Sequence, residues 1–207
     1  MRHMRVFLRM ILLLVPTFAL IVAGIQLLPH ETTALDTLLP GEDNCALPCA
    51  LGIIPGITSL DDAGRILNAH PWVADYQLSR SITVDSGYLI WHWSGAQPAI
   101  IDGQQEAALW VENGRVEWIQ ITTRLPFGDL WLRLGRPSGG YVWYVELTAE
   151  RIFQRMYYQA HDLLVEFDVL CPAHLNGFWS APVRLRYGVQ PADDAQAYQT
   201  PRWGMCG

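Results

Sequence analysis

The 207-residue chain contains no lysine, and all 14 of its basic residues are arginine. The absence of lysine excludes a phosphate-binding loop of the Walker type, Schiff-base chemistry and serine–lysine catalysis. Charged residues are also few, at 16% of the chain, whereas 51% is hydrophobic. A chain this apolar can bury enough surface to offset the conformational entropy lost on folding, which predicts a folded domain rather than disorder.

Acidic residues are missing from the first 30 positions. All 20 of them lie at Glu31 or later, whereas Arg2, Arg5 and Arg9 come before that point. The chain after residue 30 therefore carries 11 arginines against 20 acidic residues, a formal charge of 11 − 20 = −9. Nothing there supplies a basic face that could neutralise phosphates, so nucleic-acid binding is disfavoured.

An uncharged run of 19 residues, Met10–Leu28, follows the three arginines. A helix of that length measures about 28 Å, close to the thickness of the hydrocarbon core of a bilayer. The positive-inside rule then places residues 1–9 in the cytoplasm, a single transmembrane helix at residues 10–29, and the rest of the chain outside the cell membrane. A signal peptide cleaved near Ala23 is the alternative, although the run exceeds the usual signal core of about 7–15 residues.

Four cysteines, Cys45, Cys49, Cys171 and Cys206, lie in the exported part. An even number of cysteines in an exported chain predicts structural disulfides, but four cysteines permit three pairings, and the sequence does not choose among them. Zinc is one alternative, yet the two later cysteines are 35 residues apart, with no histidine close to either. Redox exchange is another, although the CxxxC spacing differs from the CxxC of thioredoxin-like centres.

The exported part divides by composition into a linker, a folded region and a tail. Residues 30–44 and 189–207 are polar and contain proline and glycine, which predicts a linker and a C-terminal tail. Between them, segments 45–123 and 124–188 show the same order: a short amphipathic helix that ends before a proline, then strand-like runs. We predict an α+β fold with an antiparallel sheet and short packed helices, built from two repeated halves or from two segments alike by coincidence.

Local signals predict where these elements begin and end. Thr58 is expected to cap the first helix, which should stop before Pro71. The second helix starts with Phe127 and ends at Gly135, and Asn113-Gly114 predicts a hairpin with a type I′ turn. The strands predicted in this way are residues 88–93, 108–111, 116–121, 141–145, 152–158, 163–169 and 183–187.

Two short motifs carry a resemblance to known families. Residues 56–67, GITSLDDAGRIL, come before a proline and an aromatic-rich hairpin, and residues 127–137, FGDLWLRLGRP, look like a second copy. This pattern resembles the SmpA/OmlA-type small lipoproteins of outer-membrane assembly and the repeats of the β-lactamase inhibitor protein, although no lipobox is present. With Cys-x-x-Pro-Cys at residues 45–49 and Ile-x-Pro-Gly-Ile-Thr after it, the chain is similar to uncharacterised bacterial membrane-anchored proteins. The resemblance implies a noncatalytic binding or scaffolding module.

Aromatic residues concentrate on the predicted strands. Trp91 and Trp93 share one strand face, opposite to His92, and Trp110 and Trp118 lie on the two arms of the predicted hairpin. On an uncovered face these side chains would form an aromatic platform, which makes the four tryptophans candidate ligand-binding residues. The alternative is a tryptophan-rich core beneath the helices.

No catalytic or metal-binding motif is present in the sequence. The histidines after residue 29 are at least 13 residues apart, and neither HExxH nor Gly-x-Ser-x-Gly occurs. Glu166 and Asp168 alternate with apolar residues, which predicts a solvated strand face rather than an acid–base pair. We therefore predict no catalytic residue, no metal and no cofactor.

Three functional hypotheses follow from the sequence. The first is a membrane-tethered, extracytoplasmic binding or structural module, with the membrane and an envelope protein or a glycan as partners. The second is an extracytoplasmic hydrolase that uses His161 or His174 together with a serine and a carboxylate. The third is an envelope sensor or inhibitor whose acidic surface binds a basic partner.

Overall fold

The computed structural model describes residues 13–18, 20, 38–39, 48–80, 86–146, 149–172, 174–189 and 197–198. The chain divides into two compact units, residues 1–33 and residues 34–207. In the first unit, residues 13–18 and 20 are helical. No helix among the described residues is long and apolar enough to cross a membrane. Most of the predicted membrane helix (10–29), linker (30–44) and tail (189–207) lies outside the described residues.

The second unit contains an eight-stranded antiparallel sheet. Its first four strands are β1 (Val73–Arg80), β2 (Gly87–Trp93), β3 (Ala107–Glu112) and β4 (Arg115–Pro126). Its other four strands are β5 (Gly139–Glu146), β6 (Glu150–Tyr158), β7 (Leu163–Leu170) and β8 (Pro182–Tyr187). The α+β class and the antiparallel sheet predicted from the sequence are confirmed.

Two four-stranded meanders make this sheet, in the order β1-β2-β3-β4-β8-β7-β6-β5. Six of the seven pairings join strands that are consecutive in the chain, and the seventh joins β4 to β8. We call the β4–β8 pairing the seam. The boundary predicted between residues 123 and 124 falls inside β4, so the two predicted segments share one continuous sheet.

Three α-helices of this unit have both ends among the described residues: α1 (Leu60–Ala69), α2 (Phe127–Leu134) and α3 (Leu175–Trp179). All three pack on the same face of the sheet. α1 lies over β1, where Gly64 approaches the Tyr76 hydroxyl. α2 and α3 place Phe127 and Phe178 against Phe167 of β7, with ring centroids 4.7 and 5.4 Å apart. The opposite face has no helix from the described residues.

α1 begins one residue later than the sequence predicted, so Thr58 as the cap was wrong. Ser59 caps the helix: its hydroxyl accepts a hydrogen bond from the Asp62 amide at 3.2 Å and donates to the Asp62 carboxylate at 2.7 Å. The Thr58 hydroxyl instead accepts from the Ile54 amide at 2.8 Å. Both hydroxyls satisfy main-chain donors, but Ser59 is the one that reaches the amide three residues ahead, as a helix cap must.

Turn chemistry and periodicity located the other elements, apart from β1 and α3. Asn113 and Gly114 have positive φ angles of 51° and 73°, as the predicted type I′ turn requires. β1 was not predicted, although Ala74, Tyr76 and Leu78 alternate with Asp75, Gln77 and Ser79. It is an edge strand, and residues 74–79 are all exposed. α3 has five residues, too few for helical periodicity to be visible.

The seam contains a bulge that one buried hydroxyl stabilises. Residues 119–122 pair regularly with residues 184–187, and the register of β4 then shifts. At this point the Thr123 hydroxyl donates to the Val183 carbonyl at 2.6 Å and accepts from the Leu125 amide at 3.2 Å. Thr123 is buried, and a polar group left unpaired there would cost about 1–3 kcal/mol, so the hydroxyl replaces ladder bonds that the bulge removes.

Phe127 is the centre of an aromatic cluster in the core. Its ring is fully buried and lies 4.7 Å from Phe167 and 5.3 Å from Phe178, and it stacks on Trp179 at 5.5 Å with an interplanar angle of 6°. Aromatic pairs at such distances add about 0.5–1.5 kcal/mol beyond the burial of their surface. The first residue of α2 therefore attaches this helix both to the sheet and to α3.

We expect Phe127→Ala to lower the free energy of unfolding by about 3–5 kcal/mol, because it removes a fully buried ring and leaves a cavity. Leu132→Ala, on the same helix, is the matched control: Leu132 is 85% exposed, so its truncation should change stability by less than about 0.5 kcal/mol. Urea unfolding followed by tryptophan fluorescence measures both variants. Equal losses in the two would show that α2 does not pack through Phe127.

Candidate functional site

The sheet face opposite the helices, which we call the open face, carries aromatic and charged side chains. Successive side chains of a strand point to opposite sides of a sheet, so every second residue of each strand lies on this face. Following the strand register outward from β4 identifies its members. They include Tyr88, Trp110, Trp118, Gln120, Thr122, Trp143, Arg151, Phe153, Arg155, Glu166, Asp168, Arg184 and Arg186.

The four candidate tryptophans divide between the two faces. Trp91 and Trp93 lie on the helix-covered face, are 0% and 8% exposed, and contact each other edge to face at 5.7 Å. They are core residues, so they have no surface to offer a ligand. Trp110 and Trp118 lie on the open face and are half-buried. The platform hypothesis is therefore restricted to Trp110 and Trp118.

Three aromatic rings form a cluster on the first half of the open face. The Tyr88 ring lies 4.6 Å from Trp110 and 5.8 Å from Trp118, centroid to centroid, and Tyr88 remains 42% exposed. The guanidinium of Arg186 lies 4.6 Å from the centre of the Trp118 ring, which is a cation–π contact. Trp118 therefore connects the aromatic cluster to the charged centre of the open face.

Glu166 is the main hydrogen-bond acceptor at that charged centre. Its Oε1 accepts from Arg155 Nε at 2.7 Å, and its Oε2 accepts from Arg186 Nη2 at 3.3 Å. Arg186 also donates to Gln120 Oε1 from Nη2 at 2.7 Å and from Nε at 3.2 Å. Burial lowers the pKa of Arg186, Glu166 raises it, and the charges of Arg155 and Arg184 lower it. Because the ordinary pKa of a guanidinium is so high, Arg186 stays charged. Its hydrogen bonds to Gln120 and Glu166 hold the side chain in place.

A second aromatic pair lies near the β5 edge of the open face. The rings of Trp143 and Phe153 stack at 5.6 Å with an interplanar angle of 13°. The guanidinium of Arg155 lies 5.6 Å from the centre of the Trp143 ring, and Arg151 forms an ion pair with Asp168 nearby on β7. Aromatic and arginine side chains thus extend across the open face from β2 to β5.

Neither cysteine in the described part of the chain is a free thiol. Cys49 and Cys171 each belong to a disulfide, and Cys49 is buried. Cys45 and Cys206 lie outside the described residues, and the choice among the three pairings stays open. Among the residues that the structure describes, no group of three or more histidines, cysteines or carboxylates could hold a metal ion.

The two histidines of the hydrolase hypothesis lie at the borders of short helical elements. His161 ends the 3₁₀ turn Gln159–His161, and His174 is the N-cap residue of α3. Within the described ranges, neither imidazole forms a hydrogen bond with a serine or a carboxylate. A catalytic histidine forms one hydrogen bond of about 2.6–3.2 Å to the nucleophile and another to the group that orients it, so this part of the chain gives the hydrolase hypothesis no support.

His92, on the open face of β2, bridges two carboxylates, an arrangement we call the His92 clasp. Its Nδ1 lies 2.7 Å from Asp75 Oδ1 of β1, and its Nε2 lies 2.8 Å from Glu106 Oε1. Both ring nitrogens donate only when the imidazole is protonated. The hydrogen bonds to Asp75 and Glu106 therefore raise the pKa of His92. The clasp joins the edge strand to the segment before β3.

Sequence reasoning identified one part of the charged centre and missed another. Alternation in β7 predicted that Glu166 and Asp168 line a solvated strand face. Both lie on the open face, but their side chains are only 13% and 33% exposed, because each is paired with arginine. The same signal is present in β8, where Arg184 and Arg186 alternate with apolar residues. α3 separates β7 from β8 in the chain, and alternation alone does not give the register between the two strands, so the ion pairs between them could not be predicted.

We expect His92 to titrate above its ordinary pKa of about 6.5, and Asp75→Asn to bring the pKa back toward that value. Because the folded-state pKa is raised, the clasp stabilises the fold fully below about pH 6.5 and loses its effect as the pH rises through the raised pKa. NMR shifts of the His92 ring protons over a pH series measure the titration. Asp102→Asn is the control, since Asp102 pairs with Arg124 instead. A His92 pKa that is the same in the wild type and in Asp75→Asn would contradict the clasp.

The resemblances to small lipoproteins and to inhibitor repeats rest on two short motifs, and they stay predictions. The arrangement of the open face is therefore the basis for inferring a function. No family model, curated protein or solved structure matches the chain.

Proposed function

We propose that this chain is a membrane-tethered, extracytoplasmic binding module that holds a protein partner on its open face. The observation that carries the proposal is the composition of that face, where tyrosine, tryptophan and arginine side chains lie together. These three residue types dominate the binding energy of protein interfaces, since they combine a large apolar area with hydrogen bonding.

The width of the open face favours a protein over a small ligand. Eight strands spaced by about 4.8 Å make a surface roughly 34 Å across. A standard protein interface removes about 800 Å² from water on each partner, which fits a surface of this breadth. Small ligands are instead enclosed in pockets that bury most of their surface.

The open face is also held in place before any partner arrives. Arg186 contacts Trp118, Gln120 and Glu166, which belong to the two strands on either side of β8. Side chains that are already fixed lose little conformational entropy on binding, so more of the contact energy appears as affinity. This preorganisation supports a binding role for the face.

We further propose that the two meanders are internal repeats. Each meander follows a short helix, α1 or α2, and the last strand of each contributes to the seam. Each meander has its first strand at an edge of the sheet and its fourth strand at the seam. This arrangement is expected for two copies related by an approximate two-fold axis at the seam. Under this interpretation the open face is a composite of both copies.

The tether in the proposal rests on the N-terminal sequence. Three arginines precede 19 uncharged residues, a pattern typical of a single membrane-spanning segment with a cytoplasmic N-terminus. The disulfides at Cys49 and Cys171 accord with an oxidising compartment.

We expect alkaline phosphatase fused to the C-terminus of the full chain to be active in a bacterial host, because that enzyme needs disulfides formed outside the cytoplasm. Deletion of residues 10–29 is the control and should abolish the activity. Alkaline carbonate extraction should leave the full chain in the membrane fraction, whereas a shortened soluble product would show cleavage of the N-terminal segment. An inactive full-length fusion would contradict export.

Two tyrosines of similar exposure provide a matched test of the binding surface. Tyr88 on β2 is 42% exposed and lies on the open face, whereas Tyr76 on the neighbouring strand is 38% exposed and lies toward α1. We expect a photoreactive phenylalanine analogue at position 88 to give a discrete protein adduct in intact cells, and the same analogue at position 76 to give none. Gel shifts after irradiation measure the yield of adduct.

Equal yields from positions 76 and 88 would mean that contact is unspecific, and adducts from position 76 alone would move the binding surface to the helix side. The absence of any adduct from position 88 would count against a protein partner.

A further inference from the structure

A depression of about 700 Å³ lies at the centre of the open face. Thr122 of β4 and Arg184 of β8 line it beside the seam, and Glu166, Arg155 and Trp143 line it on the strands of the second meander. The depression therefore combines charged groups, a hydroxyl and an aromatic ring within a single concave surface.

Arginines outnumber carboxylates in this depression. Its lining contains four arginines, Arg124, Arg155, Arg184 and Arg186, and three carboxylates, Asp102, Glu166 and Asp168. Each carboxylate already has an arginine partner: Asp102 pairs with Arg124 at 3.1 Å, Glu166 pairs with both Arg155 and Arg186, and Asp168 pairs with Arg151. The depression thus has an excess of positive charge, although the chain after residue 30 is strongly acidic.

Arg184 is the arginine of the depression that pairs with none of these three carboxylates. The β7–β8 register places it directly opposite Glu166, but Glu166 uses Oε1 for Arg155 and Oε2 for Arg186. No ion pair or hydrogen bond within the described part of the chain engages the Arg184 side chain, which is exposed. Its planar guanidinium therefore keeps the two parallel N–H groups that match a carboxylate.

We propose that Arg184 binds a carboxylate from an acidic segment of the protein partner. The stacked Trp143 and Phe153 rings, which line the same depression, receive an apolar or aromatic residue next to that carboxylate. This assignment rests on the proposed function, because it specifies the chemistry of the partner that the open face binds.

Charge complementarity favours an acidic peptide segment as the occupant. Most of this acidic protein repels such a segment, whereas the excess of arginine in the depression attracts and orients it. A small anion would contact Arg184 and leave the aromatic pair uncovered. A peptide that carries acidic and aromatic residues side by side engages both features.

The test uses the full chain in detergent micelles and two fluorescently labelled synthetic peptides, one alternating Glu with Tyr and one alternating Gln with Tyr. We expect the Glu peptide to bind more tightly. Arg184→Gln should weaken its binding about tenfold, the effect of a lost charged hydrogen bond, and leave the Gln peptide unchanged. Arg65→Gln is the matched control, because Arg65 is exposed on α1 and pairs with Asp62. Fluorescence anisotropy measures each dissociation constant.

Three results would overturn the role of Arg184: equal affinity of the wild type for the two peptides, equal affinity of the wild type and Arg184→Gln for the Glu peptide, or no binding of either. Polygalacturonate, an anionic glycan, is a further probe. If it bound in a way that depends on Arg184 and the Glu peptide did not bind, the ligand of the depression would be an anionic glycan and not an acidic peptide. Arg184→Lys keeps the charge but loses the planar fork, so its affinity should be intermediate. Equal urea midpoints of wild type and variants check that folding is intact.

Photocrosslinking from position 88 separates the two possible failures. The first failure is that adducts still form in Arg184→Gln and that peptide affinity does not change in this variant. The open face would then stay a binding surface, but its partner would not bind Arg184 through an acidic segment. If the wild type gave no adducts from position 88 and bound neither peptide, the proposed function would be removed as well.

Discussion

The domain depends on one pairing, the seam between β4 and β8. Without the seam, the strand order would consist of two separate four-stranded meanders, each with a small core of its own. With it, the core becomes continuous, and Phe127, directly after β4, packs on Phe167 of the other meander. The pairing is not ideal, because β4 bulges at Thr123. The Thr123 hydroxyl forms hydrogen bonds with main-chain groups on both sides of the bulge, so a single side chain compensates for the irregular pairing.

The seam also determines the chemistry of the open face. β8 lies between β4 and β7, so the single guanidinium of Arg186 reaches Trp118 on one side and Glu166 on the other. A carboxylate has two oxygens, and Arg155 and Arg186 occupy both oxygens of Glu166. The third arginine within reach, Arg184, is left with its charge uncompensated. A protein that is acidic over most of its length thereby acquires a locally basic concavity.

Local signals predicted more of the fold than of the open face. Turn chemistry and periodicity located α1, α2, the type I′ hairpin and seven of the eight strands, because each signal depends on residues close together in the chain. A period of two shows which side chains share a face, but not which face a helix covers, so Trp91 in the core and Trp110 on the open face could not be told apart. The free charge of Arg184 depends on where the oxygens of Glu166 point, and that follows from the register of β6, β7 and β8.

The strand order also determines how the chain comes together. Six pairings close locally, but at the seam Thr122 meets Arg184, 62 residues away. Closing a flexible loop of that length costs roughly 4 kcal/mol of entropy before a constant contribution, and distant pairings of this kind slow folding. Until β8 arrives, the border of β4 exposes unpaired main-chain groups. The β8 strand of a second molecule can dock there as well as the chain's own, so a domain-swapped dimer is the alternative assembly that this topology favours at high protein concentration.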